Sequence, residues 1–207
     1  MPGRDPPRTY PPPVTPVADP PDAPEAFAAG LAPLHAVLAA PVRPELSLSL
    51  VPAPKRMAPW SVAVAAEVSR DGEDVASGRF VVLHDPEGHD GWQGDTRVVA
   101  LVEAQVEPEM GADPALADVG WSWLLEALDA RVATHTAAGG TVTRTTSKRF
   151  GQLEDAVDAS EVEVRASWTA LPGDDGLDLG RHLLAWCDLL CSTAGLPPPG
   201  VAAIGPR

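Results

Sequence analysis

Four stretches in which apolar and polar residues alternate follow one another between residues 45 and 107, and no helix-length segment separates them. That succession constrains the fold more than any other feature of the chain. ELSLSLV (45–51), SVAVAAEVS (61–69), SGRFVVLHD (77–85) and TRVVALVEAQVE (96–107) each present an apolar face at a period of two, as half-buried strands do. Consecutive parallel strands would need a long crossover between them, so the four predict an antiparallel sheet. In the last of them Val98, Ala100, Val102, Ala104 and Val106 share one face. Arg70-Asp71-Gly72-Glu73 predicts a tight hairpin, because Asp-Gly accepts the positive φ angles of a two-residue turn. PAPKRMAPW reads as a linker and PEGHDGWQGD (86–95) as a loop, on their proline and glycine.

Helical spacing brackets these strands. In residues 24–40, PEAFAAGLAPLHAVLAA, Phe27, Leu31, Leu34 and Leu38 fall on one side, with a kink or break expected near Gly30–Pro33. Asp113 is placed to cap a second helix with Pro114 at its first position, running to about His135 and ending near Gly139-Gly140. TVTRTTSKRF (141–150) and EVEVRASWTA (161–170) return to period two and predict a hairpin with Val162, Val164, Ala166 and Trp168 inward. A last helix, 178–194, carries Leu179, Leu183, Trp186 and Leu190 at helical spacing. The order is α-ββββ-α-ββ-α, an α+β class with a mainly antiparallel sheet of five to six strands and three helices. It resembles, in element order, the small α+β fold of bacterial secretion chaperones. Residues 25–196 form the single expected domain, between a disordered Pro-rich tail (1–24) and a flexible C-terminal tail (197–207).

Charge narrows the partners. Fifteen Lys and Arg against 29 Asp and Glu leave −14, a field that repels phosphate backbones and anionic lipid. Nucleic acid is therefore an unfavoured partner. No apolar run approaches the ~18 residues of a membrane span, and the N-terminus has no apolar core of a secretory signal, so the expected location is the cytoplasm. Cys187 and Cys191, four apart in a helical pattern, are expected as buried thiols, since bridging them would strain the helix.

The 113–135 helix is apolar over too wide an arc. Leu116, Val119, Trp123 and Ala127 form one line, and Trp121, Leu125, Leu128 and Val132 form another, displaced round the helix. One stripe suffices to lie on a sheet. The second needs cover from a neighbouring helix or from another molecule, and Trp121, Leu125, Leu128 and Val132 are the candidate contact for a protein partner or a homodimer. Two further clusters carry residues suited to chemistry or binding. HDPEGHDGWQGD offers His84, Asp85, His89 and Asp90 as a weaker metal set for a metal-dependent enzyme, without the ligand ladder of a calcium loop. Arg144, Lys148 and Arg149 form the one basic patch, expected to pair across strands with Glu161 and Glu163, or alternatively to hold RNA. Glu103, Glu107, Glu109 and Asp113 read as an acidic edge. No phosphate loop, dinucleotide fingerprint or nucleophile elbow occurs, so no catalytic residue and no cofactor is assigned.

Several segments together, RPELSLSLVPAPKRMAPW, GRFVVLHDPEGHDGWQGDTRVV, EPEMGADPALADVGWSWLLEAL, AAGGTVTRTTSKRFG, EVEVRASWT and HLLAWCDLLCSTAGLPPP, resemble the actinobacterial DUF3000 family of unknown function over roughly residues 25–199. The resemblance implies a cytoplasmic actinobacterial protein, in a setting linked to RNA metabolism as an accessory factor. It brings no activity, cofactor or catalytic residue.

Overall fold

The computed structural model describes residues 22–54, 56–153 and 159–197. The tails expected at 1–24 and 197–207 lie almost wholly outside those residues. Six strands form one antiparallel sheet: β1 (Leu46–Val51), β2 (Trp60–Arg70), β3 (Glu73–His89), β4 (Gly94–Val106), β5 (His135–Ser147) and β6 (Ala159–Ala170). Their spatial order is β1-β2-β3-β4-β6-β5, so β6 inserts between β4 and β5. Four α-helices accompany them: α1 (Glu25–Leu38), the short α2 (Pro108–Ala112), α3 (Leu116–Ala130) and α4 (Leu179–Thr193). The fold is α+β as expected, with one helix more than the three predicted.

Alternation along each strand builds the core. Val64, Phe80, Val82, Val98, Val102, Val164 and Trp168 point to one sheet face and join Phe27, Leu31, Leu34, Leu124, Leu128, Leu183 and Trp186 of the helices in a single buried cluster. Helix α4 is the centre of the cover: it packs on α1 and α3 and crosses β3 and β4. Where α1 meets α4, Gly180 is so close to Pro33 that an added Cβ would stand 2.7 Å from its carbonyl oxygen. The break expected near Gly30–Pro33 does not occur, and α1 runs unbroken through both residues. A proline lacks one helical hydrogen bond, and the tight α1–α4 contact offsets that loss.

The opposite sheet face is mostly polar. Among the described residues the buried apolar side chains there are Ala63, Val81 and Leu83, beneath Ala53, Ala58 and Trp92, and Thr169 is buried on the same face. The expected linker therefore folds back over one end of this face. The Asp71-Gly72 hairpin forms as predicted, with φ of 55° and 86°, and Ser69 Oγ donates to Asp74 across it at 2.7 Å.

Three boundaries differ from expectation. The 86–95 loop shrinks to a turn, because β3 extends to His89 and β4 starts at Gly94. An irregularity between His84 and His89 absorbs the prolyl and glycyl residues. Asp113 does not cap a helix that starts at Pro114. It sits between α2 and α3, and its carboxylate accepts the Ala115 N–H at 2.9 Å. Finally, α3 ends at Ala130 and not near His135, and Gly139-Gly140 lie inside β5.

Candidate interaction surface

Helix α3 ends by a Schellman motif. Ala133 N–H donates to Leu128 O at 2.9 Å and Val132 N–H to Asp129 O at 3.0 Å, the paired bonds that close such an end. The position that must be left-handed is Val132, at φ 53°. A β-branched residue there is strained. Helix α4 ends by the same motif, with Leu196 N–H on Cys191 O and Gly195 N–H on Ser192 O, but there the left-handed residue is Gly195, φ 70°.

The buried stripe of α3 is Leu116, Gly120, Leu124, Ala127 and Leu128. It runs between the two apolar lines read from the sequence. Leu128 is fully enclosed, so it belongs to the core and is not available to a partner. Trp121 and Trp123 flank the stripe, both half-buried. Trp121 lies over β5: its ring edge is 3.0 Å from where a Cβ on Gly140 would stand. Trp123 lines a cleft with Arg43, Leu196 and Pro197. Each tryptophan thus covers a different flank of α3 from within the chain. Leu125 is also half-buried, and Val132 is 65% exposed.

Strand β5 is the last of the sheet. Among the described residues no strand pairs with its outer edge. From Gly139 to Ser147 it is in regular register with β6, and no Asp or Glu occurs from His135 to Ser147. An open, regular edge presents unpaired backbone donors and acceptors.

The basic residues do not form one strip. Arg144 points to the helix side and donates to Gly111 O at 3.1 Å and Asp113 O at 2.6 Å, closing the C-terminal end of α2. Register sets Thr145 and Thr143 opposite Glu161 and Glu163, and Arg144 opposite Val162, so Arg144 does not face the carboxylates it was expected to pair with. Glu163 instead accepts two bonds from Arg165 of its own strand, which holds its carboxyl below the usual range. Lys148 stands 5.7 Å from the Phe150 ring.

The weaker metal set does not converge either. His84 faces the core, stacked on Phe27 at 4.5 Å, and its Nδ1 lies 2.9 Å from Thr96 Oγ1. The Thr96 hydroxyl donates to Asp95, so His84 Nδ1–H is the donor in that contact. Burial lowers the His84 pKa. Asp85 is the next residue of β3, whose side chains alternate between faces; its carboxylate accepts the Glu87 N–H at 3.1 Å, and of the other three candidate ligands His89 comes near it, Nε2 to Oδ2 at 3.6 Å. Among the described residues no three His, Cys, Asp or Glu side chains are grouped to hold a metal ion.

Cys187 and Cys191 are free and buried, as expected. Burial pushes the Cys191 thiol up to about 11 and Cys187 higher still. Two polar pairs escaped the sequence reading. Arg131 grips Asp188 with two bonds of 2.6 and 2.8 Å between α3 and α4. The Trp168 indole donates to His182 Nδ1 at 3.0 Å inside the core. A histidine on the apolar side of the last helix, beside Leu183 and Trp186, was the available signal for the second.

Among the described residues no helix is long and apolar enough to cross a membrane. No curated protein and no solved structure matches the chain, so the likeness to secretion chaperones rests on element order alone. The family model for proteins of unknown function, DUF3000, matches residues 23–202. That span takes in every described helix and strand, and the chain belongs to the DUF3000 family.

Proposed function

We propose that this protein is a cytoplasmic binding module, not an enzyme, and that it engages a protein partner or a second copy of itself through the side built by α2, α3 and β5. One observation carries the reading. Of the five large hydrophobic residues exposed among the described residues, three, Met110, Val132 and Phe150, lie on or next to these elements; a fourth, Val119, is on the Trp123 flank of α3, and Met57 lies elsewhere. Half-buried Trp121 and Leu125 lie on the line of α3 that continues to Val132. The open edge of β5 supplies backbone groups beside that apolar surface, the combination by which an added strand docks. The absence of acidic residues from β5 removes like-charge repulsion where the rest of a −14 chain would impose it.

The test is native mass spectrometry of gently purified protein against its denatured mass. A mass matching a second copy or a bound protein is expected. Val132→Glu with Phe150→Glu, both at exposed positions, should abolish that complex and leave the fold intact. Trp121→Glu with Leu125→Glu should abolish it as well. A complex that survives the exposed pair of substitutions, or a protein that is monomeric and unaccompanied throughout, overturns the proposal.

A further inference from the structure

A cavity of about 540 Å³ lies where α4 begins, between the end of α3 and the loop that follows β6. His182 lines it, although the residue is only 1% exposed. The tautomer of this ring follows from its neighbour. An indole N–H can only donate, so the Nδ1 that receives Trp168 at 3.0 Å must carry the lone pair. The proton of the neutral ring then sits on Nε2. Among the described residues no hydrogen bond reaches Nε2, and the one enclosed side-chain polar atom without a partner is Ser160 Oγ. His182 Nε2–H therefore opens on the cavity as a donor without an acceptor in the protein.

The rest of the wall is charged unevenly. Arg181 is already neutralised: its Nε lies 3.0 Å from Asp178 Oδ2, and it also donates to Val132 O at 3.4 Å. Asp174 and Asp175 also line the cavity, are exposed, and form no ion pair among the described residues. Reciprocal backbone bonds between Gly173 and Gly176, of 2.9 and 3.1 Å, fix the loop that carries them. The cavity thus offers a hydrogen-bond donor on its floor and uncompensated negative charge at its rim. Its volume lies within the roughly 300–1,000 Å³ of small-molecule sites.

We infer that this cavity binds a small organic amine that also carries a hydroxyl or carbonyl oxygen. The oxygen accepts from His182 Nε2–H, and the ammonium group sits against Asp174 and Asp175. A metal ion does not fit, because Nδ1 is occupied by the indole and Nε2 carries the proton. Burial, with His135 adding to it, pushes His182 down to about 4. The ring is therefore a neutral donor at ordinary pH.

The experiment is an NMR titration of the full chain with ethanolamine. Ethylamine, which has the charge without the oxygen, and ethylene glycol, which has oxygen without the charge, are the controls. Ethanolamine should shift the His182 Nε2–H resonance and the 173–176 amides saturably. Its affinity should exceed that of either control by about tenfold, the contribution of one hydrogen bond to a charged or buried group. Asp174→Asn with Asp175→Asn, in an exposed loop, should weaken ethanolamine by about tenfold and leave the ethylene glycol response unchanged. His182→Met, which has no N–H to donate, should erase the preference for ethanolamine over ethylamine. No saturable shift at the cavity, or equal responses to all three probes, would mean that the donor faces water, and the inference would be overturned. An unchanged affinity in the double asparagine variant would overturn it too.

Discussion

Val132→Gly should make this protein more stable, although it removes a side chain and inserts glycine next to a helix. The reasoning rests on the two Schellman ends. Val132 and Gly195 hold the same left-handed position, at φ 53° and 70°. For an L-residue that conformation costs roughly 1–2 kcal/mol. Glycine escapes the cost but returns roughly 0.5–1 kcal/mol through the greater freedom of its unfolded chain. Val132 is 65% exposed, so little burial is lost with it, and its carbonyl, which accepts from Arg181, is retained. The net expectation is a gain of about 1 kcal/mol, or roughly 2–4 °C in Tm for a chain of this size. Urea unfolding followed by tryptophan fluorescence measures it, with an unchanged slope confirming that the same surface is exposed. The converse substitution, Gly195→Val, should cost about 1–2 kcal/mol; an added Cβ there meets nothing nearer than Arg70 Nη1 at 3.8 Å. A Val132→Gly protein that is less stable than its parent would refute the strain argument. A more stable variant with a weaker complex would show what the strained residue is kept for.

Gly140→Ala should destabilise by about 1–3 kcal/mol, because the new carbon would lie 2.2 Å from the Arg165 carbonyl and 2.9 Å from Ala166 Cα, both backbone atoms; Gly139→Ala, with nothing within 4 Å, should be neutral or slightly stabilising in the same denaturation assay. The depressed His182 pKa predicts acid sensitivity. Between its ordinary 6.5 and about 4 the unfolded state binds the proton and the folded state does not, so this contribution is full above that window and is lost as pH falls through it, amounting to roughly 2–4 kcal/mol. The difference between wild type and His182→Gln across pH 4–7 reads it. Ser160→Ala should cost nothing or stabilise by about 1 kcal/mol, since Ser160 Oγ is buried without a partner, and thermal melting checks this. Cys187 and Cys191 should resist a thiol reagent in the native protein and react on unfolding, because burial holds both as thiols.

Strand identity was legible where one face is core and the other is solvent. Of the inward set Val98, Ala100, Val102, Ala104 and Val106, the first four are buried and Val106, at the strand end, is half-buried; the partner set Val162, Val164, Ala166 and Trp168 is buried throughout, as the alternation required. The Asp71-Gly72 turn was legible because only a few residue types accept its backbone. Boundaries failed where one residue type serves two purposes. Gly139-Gly140 suggested a helix terminator, yet Gly140 is needed for close approach to β6. The true end of α3 was hidden because valine occupies the position where glycine signals a stop. Of the candidate surface, the excess apolar width of α3 was visible. How it divides was not: Leu128 goes to the core, Trp121 to β5 and Trp123 to the cleft beside Leu196, and only the packing of α4 and β5 decides that. The His182 cavity could not be inferred, since it depends on a tautomer set by a tryptophan fourteen residues away.

The insertion of β6 between β4 and β5 has a consequence for the chain as it is synthesised. Strands β1 to β4 pair with their chain neighbours and can assemble as soon as Val106 is available. The free side of β4 then has to wait for β6, which is complete only at Ala170. At ordinary translation rates that interval is roughly 3–13 s. β5 emerges first but has no place on the sheet until β6 arrives. During that interval a nascent chain displays an apolar, unpaired β4 margin, the period in which a chaperone would be most useful to it.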